Sequence, residues 1–458
     1  MKKLFGTDGI RGEAGEFPLD AATVHVIGRS LATRLAERKA SAPNIIVGRD
    51  TRESGGWIEA ALISGAREAG AEIESAGVIT TPGVAFLTRT LPADAGVVIS
   101  ASHNPFQDNG IKVFASSGRK LDEATERLIE SDIQGPLKPS ESTSRGVEDK
   151  PDDSDRSEQL RTQYINYLAR EIGRDLSLAN LKIVIDCANG AASEIAPEVF
   201  RRLGANLIAI NNLPDGRNIN LNAGSLHIES LQDRVVAERA DLGVAFDGDA
   251  DRALFVDAAG KFVDGDGTLW VLANYLKARG ELAGDRVVAT VMSNIGLEIA
   301  LRSQGISLVR TDVGDKYVLE ELLRSGGALG GEQSGHIIFP KISLAGDGII
   351  TTLMLLSAIV EKQHSLGELT QGIQRYPQVL VNVRVREKRP FEELPSVQRL
   401  ASEIQQTLGD RGRLLLRYSG TEPLARVMIE GPTETEVNQS AQSLAAAIQK
   451  EIGASGDS

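Results

Sequence analysis

A buried strand, a polar turn, a helix and a closing glycine recur three times along this chain, and that recurrence limits what it can fold into. In the first copy Asn44 to Val47 read as a strand ending in Gly48-Arg49-Asp50-Thr51-Arg52, and a helix through Trp57, Ala61 and Leu62 closes at Gly70. An earlier helix puts Val24, Ile27, Leu31 and Leu35 on one face. In the second copy Ile183-Val184-Ile185-Asp186 lead through Asn189-Gly190-Ala191 into a helix ending near Gly204, followed by Leu207 to Ile210. In the third, Val287 to Val291 lead through Ser293-Asn294 into a helix ending near Gly305, followed by Ser307-Leu308-Val309. The copies lie more than a hundred residues apart, too far for a solenoid, so the pattern predicts three related α/β domains of βαβ type in tandem.

From about Tyr376 the pattern changes to a strand (Val379 to Val385), a helix (Leu394 to Leu408), two strands around Arg413 to Glu430 and a helix from Glu434 to Ile448. A smaller C-terminal α+β domain is predicted there. The expected domains are 1–155, 156–257, 258–374 and 375–450, with an exposed excursion over Pro136 to Arg156 and a disordered tail over 451–458. A chain of 458 residues holds three or four domains at roughly 100 to 200 residues each.

Charge and cysteine content narrow the function. With 50 basic against 63 acidic residues and no basic tract, the net charge of −13 argues against nucleic acid or an anionic membrane as partner. A phosphate ligand would therefore rest on a few placed arginines. The single cysteine, Cys187, excludes an internal disulfide framework, and neither a signal peptide nor a membrane-spanning run is visible, so the cytoplasm is expected.

Five stretches carry residue types suited to chemistry. Val97-Val98-Ile99 run as a strand into Ser100-Ala101-Ser102-His103-Asn104-Pro105, which places Ser102 on an ordered, partly exposed loop at a strand's carboxyl end, where open α/β sheets put their sites. An ordinary polar turn fits that cluster equally well. Leu4-Phe5-Gly6-Thr7-Asp8-Gly9-Ile10-Arg11-Gly12 reads either as a loop able to approach an anion or as a glycine-rich hairpin with little room for a core. In Gly243-Val244-Ala245-Phe246-Asp247-Gly248-Asp249-Ala250-Asp251-Arg252, three alternate carboxylates after a buried strand can turn inward around one hard cation, and oxygen-only ligation favours magnesium or calcium. A calcium hand would need a ligand-rich second half, whereas Ala253-Leu254-Phe255-Val256 continue as a strand. Gly330-Gly331-Glu332-Gln333-Ser334-Gly335-His336 suits sugar hydroxyls or, equally, a polar hairpin turn. Arg417-Tyr418-Ser419-Gly420-Thr421-Glu422-Pro423, with Arg426, offers the donors for a phosphate dianion.

With these loops in order and spaced for four domains, the chain resembles the α-D-phosphohexomutase superfamily over nearly its whole length. The stretches Phe5 to Gly12, Ile99 to Pro105, Asp312-Val313-Gly314-Asp315-Lys316-Tyr317-Val318 and Glu332 to His336 are most similar to its bacterial amino-sugar branch. The resemblance implies four domains around a central cleft and a cytoplasmic isomerase that converts glucosamine 6-phosphate to glucosamine 1-phosphate. It further implies a phosphoserine and a glucosamine 1,6-bisphosphate intermediate, in supply of UDP-N-acetylglucosamine and cell-wall precursors. It implies that Ser102 is the phosphoserine, that Asp247, Asp249 and Asp251 hold Mg2+ with a phosphoserine oxygen, and that Arg252 lies beside it. Lys112, His336 and Arg11 become acid/base candidates, Glu332 and Ser334 sugar binders, and Arg417, Ser419, Gly420, Thr421 and Arg426 the grip on the phosphate that is not transferred. Two residues depart from the family pattern. Ala250 stands where glycine is common, which is expected to be harmless, and Tyr418 where lysine is frequent, which bears on the choice of sugar. Glucose- or mannose-specific mutase activity, a metal-dependent phosphatase and a non-catalytic sugar-phosphate binder stay open as alternatives, as does a homodimer.

Overall fold

The computed structural model describes residues 3–6, 8–39, 41–135, 154–419 and 422–454. By its contacts the chain forms two units, Met1–Val291 with Val309–Gln371, and Met292–Leu308 with Gly372–Ser458.

In the first unit, the leading sheet has six strands in the order Phe5–Gly6, Gly9–Glu13, Asp108–Ala115, Ala95–Ile99, Asn44–Arg49 and Glu72–Val78. Asn44–Arg49 runs parallel to both Glu72–Val78 and Ala95–Ile99, and the remaining pairs are antiparallel. The two central parallel strands carry aliphatic runs because both their faces are covered: Ile45, Ile46, Val47, Val97, Val98 and Ile99 are all fully buried, whereas the edge strand Glu72–Val78 is polar and partly exposed. The opening glycine-rich stretch is the hairpin of its two readings, and it does feed the core, since Phe5 and Ile10 are buried.

The second sheet follows the order Phe262–Val263, Ala253–Asp257, Leu242–Phe246, Lys182–Asp186 and Asn206–Ile210. Its parallel centre turns antiparallel at Leu242–Phe246 and Ala253–Asp257, so the acidic loop is the tip of a hairpin. A third, smaller sheet runs Ser307–Thr311, Arg286–Thr290, Gly330–Gly331 and Ile337–Ile338. Three α/β domains are thus built on related plans, as the repeats predict.

The helix Ser154–Tyr167 corrects the expected excursion at its far end. Residues 154–156 open this helix, Arg156 bonds Glu74 at 2.6 Å and Ser157 Oγ bonds the Ser75 carbonyl at 2.9 Å, while 136–153 lie outside the described residues. Among the described residues no helix is long and apolar enough to cross a membrane.

In the second unit, Gln378–Arg384, Leu424–Glu430 and Arg413–Tyr418 form a three-stranded antiparallel sheet. Helices Pro395–Leu408 and Glu434–Ile452 bury Val397, Ile404, Leu444 and Ile448 against Val427 and Ile429. The tail is ordered further than expected. Glu451 and Ile452 belong to the last helix, Gly453 bridges Val385, and the Ala454 N–H donates to the Arg384 carbonyl at 3.0 Å; 455–458 lie outside the described residues.

Candidate active site

Strand Ala95–Ile99 delivers the serine loop, but Ser102 is only 1% exposed, which corrects the expectation of a partly exposed residue. The acidic hairpin covers it, and its Oγ donates to Asp247 Oδ2 at 2.6 Å. The His103 ring nitrogen Nδ1 lies 3.3 Å from Ser102 Oγ. The Ser102 backbone is left-handed, with φ of 54°, a conformation rare for a residue carrying a Cβ and concentrated at functional sites.

The antiparallel pairing of Phe246 with Ala253 pinches the acidic loop and turns Asp247, Asp249 and Asp251 inward, all buried. One oxygen from each lies within 4.8 Å of the others. Burial and the charges of Asp251 and Asp249 push the Asp247 carboxyl well above its usual range. Asp249 Oδ1 and Asp251 Oδ1 accept no hydrogen bond among the described residues, and buried carboxylate oxygens left in that state are what a hard divalent cation satisfies. The donor set therefore fits magnesium. Ala250, inside the loop, sits at φ of 56°, so it takes the conformation that glycine adopts at no steric cost. The departure from glycine is thus accommodated, with strain.

Cations ring this cluster. Lys112, fully inside on strand Asp108–Ala115, places Nζ 2.7 Å from Asp249 Oδ2 and 3.5 Å from Asp251 Oδ2. Burial would favour its neutral amine, but Asp249, Asp251 and Asp8 raise its pKa and keep it protonated. Thr81 Oγ1 adds a bond to Asp249 Oδ2 at 2.6 Å. Burial works the same way on Arg252 and Asp251 overrides it; the guanidinium Nε stands 3.8 Å from Asp251 Oδ1, with no hydrogen-bond partner among the described residues. Arg11 bonds Asp8 at 2.9 Å. Asp8 and Asp315 share Lys120, at 2.8 and 2.7 Å. Burial would raise the Asp8 carboxyl, but Lys112 and Lys120 hold it well below the usual range.

The hairpin joining Gly330–Gly331 to Ile337–Ile338 brings the expected sugar residues to the same place. His336 Nδ1 lies 3.7 Å from Asp251 Oδ1 and its Nε2 3.8 Å from Asp315 Oδ2. Burial favours the neutral imidazole, while Asp251 and Asp315 raise its pKa to about 9. The Gly346 N–H meets Nε2 at 3.2 Å, a contact that suits the neutral ring, so both protonation states have partners here. Glu332 accepts from the Gly314 N–H at 3.1 Å, and Ser334 Oγ is buried with no partner among the described residues. A cleft of about 570 Å³ opens beside this cluster, lined by Asp8, Lys112, Lys120, Asp251, Tyr317 and His336.

In the second unit, Arg417 and Arg426 stand directly opposite each other in the hairpin of Arg413–Tyr418 and Leu424–Glu430. Arg426 Nη2 also pairs with Glu422 Oε2 at 3.2 Å, so one carboxylate already offsets part of this like-charge pairing. Ser419 Oγ accepts from the Glu422 N–H at 3.3 Å, and Gly420, Thr421 and, in the first unit, Thr7 lie outside the described residues. Tyr418 is not a cation but a packing residue: its ring stacks on Phe391 at 4.3 Å. A cation reaches the loop from elsewhere, since Lys388 Nζ donates to the Ser419 carbonyl at 2.6 Å.

The structure thus gathers Ser102, Lys112, Asp247, Asp249, Asp251, Arg252, Glu332, Ser334 and His336, with Arg11 linked through Asp8. Sequence reasoning missed Thr81, Lys120 and Asp315 as members of the cluster, although Asp315 lies in a stretch it had singled out.

Four family models match in order: the phosphoglucomutase/phosphomannomutase α/β/α domains I, II and III over 2–138, 162–260 and 264–376, and the C-terminal domain over 380–447. The chain belongs to the phosphoglucomutase/phosphomannomutase family of phosphohexomutases. Within it, the chain is 51% identical to a phosphoglucosamine mutase of Solibacter usitatus, over 99% of both chains, and 49% identical to one of Koribacter versatilis, over 99% of this chain and 98% of that one. Among solved structures, a phosphoglucomutase/phosphomannomutase family protein of Burkholderia thailandensis shares the fold with a TM-score of 0.78 at 23% identity, over 99% of both chains. The N-acetylphosphoglucosamine mutase of Aspergillus fumigatus, solved with GlcNAc-6P and magnesium, does so with a TM-score of 0.64 at 18% identity, over 98% of this chain and 95% of that one. The protein is accordingly an enzyme of the isomerase class, an intramolecular phosphotransferase.

Proposed function

We propose that the protein interconverts glucosamine 6-phosphate and glucosamine 1-phosphate in the cytoplasm, through a phosphoserine at Ser102 and glucosamine 1,6-bisphosphate. The observation that carries this reading is the 2.6 Å contact of Ser102 Oγ with Asp247, inside a buried carboxylate triad ringed by Lys112, Arg252 and His336. The relatives' names supply the amino sugar. Asp247, Asp249 and Asp251 would hold Mg2+ together with an oxygen of phosphorylated Ser102. When bound, the ion neutralises charge on the transferred phosphoryl group.

The chain's own residues do the rest. The sugar 1-hydroxyl of glucosamine 6-phosphate attacks phosphorus, the bond from phosphorus to Ser102 Oγ breaks, and the 1-hydroxyl proton must be taken up. His336, with partners for both its protonation states, is the residue we assign to exchange that proton. Lys112, held protonated, supplies charge and a proton donor toward the serine side, and Arg252 and Arg11 add positive charge over the phosphoryl oxygens. Glu332 and the unpartnered Ser334 hydroxyl bind sugar hydroxyls. Arg417, Ser419, Gly420, Thr421 and Arg426 hold the other phosphate while the bisphosphate turns and returns its 6-phosphoryl group to Ser102. In this scheme the domains 1–155, 156–257, 258–374 and 375–450 contribute one loop each: serine, metal, sugar and phosphate.

The test pairs Ser102→Ala with the wild type, following products by phosphorus NMR from glucosamine, glucose and mannose 6-phosphates. Loss of all mutase turnover in the folded variant, with glucosamine 6-phosphate the best wild-type substrate, is expected. Turnover in Ser102→Ala removes the phosphoserine, and a better rate with glucose or mannose phosphate overturns the amino-sugar assignment.

A further inference from the structure

The left-handed backbone of Ser102 is not explained by its own residue type, so something else must hold it. Two side chains from different α/β domains converge on it. Arg52, 1% exposed, follows strand Asn44–Arg49; its Nη2 donates to the carbonyl of Ser102 at 3.0 Å and to that of Asn104 at 2.9 Å. Nη1 donates to the carbonyls of Asp108, at 3.0 Å, and Pro105. Nε donates to Asp50 Oδ2 at 2.9 Å. From the second domain, Asn220 Nδ2 donates to the same two carbonyls, Ser102 at 2.9 Å and Asn104 at 3.0 Å.

The serine's other peptide group leads back to the same anchor. Its N–H donates to Ser100 Oγ at 2.9 Å, and that hydroxyl donates to Asp50 Oδ2 at 2.7 Å. The metal loop closes the remaining side: a Cβ on Gly248 would lie 2.6 Å from the Ser102 carbonyl oxygen and 2.9 Å from Asn220 Nδ2. With both peptide groups of Ser102 fixed, its Cβ is held where Oγ reaches Asp247 Oδ2 at 2.6 Å.

We propose that Arg52 and Asn220 are positioning residues for the phosphoryl-bearing serine, clamping Ser102 and Asn104 from two domains so that Oγ meets the acidic triad. This rests on the reading that Ser102 carries the phosphoryl group. The clamp makes the serine's aim depend on the seating of the second domain against the first, because half of its donors come from each.

Asn220 is the residue to change, since losing Arg52 would leave the buried Asp50 carboxylate without its cation. Asn220 itself has φ of 58°, so Asn220→Gly removes the carboxamide without backbone strain, while Asn220→Asp keeps the size and turns an acceptor toward two carbonyls. The expected result is a kcat reduced about tenfold to a hundredfold, more in Asn220→Asp, with KM for the sugar phosphate within about twofold. Rates are normalised to folded enzyme from unfolding curves. Glu53→Gln serves as control: it breaks the 2.6 Å pair with Arg217 at the same domain contact, touches no atom of the serine loop, and should leave kcat unchanged. Wild-type kcat in both Asn220 variants, a loss accounted for by unfolded protein, or an equal loss in Glu53→Gln overturns the clamp. Ser102→Ala run alongside separates the two readings, since turnover there removes the phosphoserine itself, whereas an inactive Ser102→Ala beside fully active Asn220 variants removes only the clamp.

Discussion

Replacing Lys112 by methionine keeps most of the side chain's length and deletes the one ammonium in contact with the acidic triad among the described residues. At an effective dielectric constant of about 20, the contacts of 2.7 and 3.5 Å represent roughly 6 and 5 kcal/mol of attraction, against a desolvation cost of several kcal/mol per ion. Removing one partner of such a buried group leaves like charges facing each other, and the expected loss is about 3 to 5 kcal/mol of local stability. Because a chain of several domains need not unfold in one step, the measurement is amide exchange of the peptide spanning Leu242 to Asp257, in EDTA. Exchange there should quicken by about two to four orders of magnitude, and magnesium should restore much of the protection. The double variant Lys112→Met with Asp249→Asn, which removes a charge of each sign, should exchange more slowly than the single variant. Exchange within about threefold of wild type would refute the reasoning.

Asp347, the N-cap of helix Gly348–Lys362, gives a pH prediction. Burial raises its carboxyl from 3.8 to about 6 despite bonds from Tyr164 and the N–H groups of Ile350 and Ile349. A folded pKa above the unfolded one gives stability that is fully present below pH 4 and lost as pH rises through about 6. Between pH 4 and 7 that loss amounts to about 2 kcal/mol, and it should be missing in Asp347→Asn, as urea unfolding at the two pH values would show. Arg417→Ala removes a charge-assisted contact worth roughly 1.5 to 3 kcal/mol, so KM for the sugar phosphate should rise about tenfold to a hundredfold. Released 1,6-bisphosphate per turnover should increase too, and normal values of both would make that loop a structural turn.

The strand, turn and helix repeats were legible because aliphatic runs such as Ile183 to Ile185 and glycines such as Gly70 and Gly204, at φ of 83° and 88°, signal locally. The acidic triad was legible for the same reason, since alternation within one hairpin sets its geometry. What the sequence hid depends on partners far along the chain. The burial of Ser102 follows from a loop 145 residues away, and Lys120 reads as an ordinary surface lysine until Asp8 and Asp315 fold onto it. Arg52 sits in a polar turn that was noticed, but nothing local says that a guanidinium there goes fully inside. Asn220 stands in a stretch where the sequence shows no motif, and its target, the serine loop of another domain, is a fact of domain packing.

The alanine at position 250 bears on how the acidic loop would receive a cation. An L residue at φ of 56° costs about 1 to 2 kcal/mol, so the acidic loop does not take this shape by preference. The shape is imposed by the Ala250 N–H bonded to the Asp247 carbonyl and by the Gly348 N–H bonded to the Ala250 carbonyl, both at 3.0 Å. Neither bond involves a carboxylate side chain. The loop's shape therefore rests on backbone bonds, so a cation bound there would meet a cage already formed, unlike sites that fold only around their metal. Chelation should then leave the backbone in place and magnesium should add back without refolding, as amide exchange over the loop in EDTA and in magnesium would show.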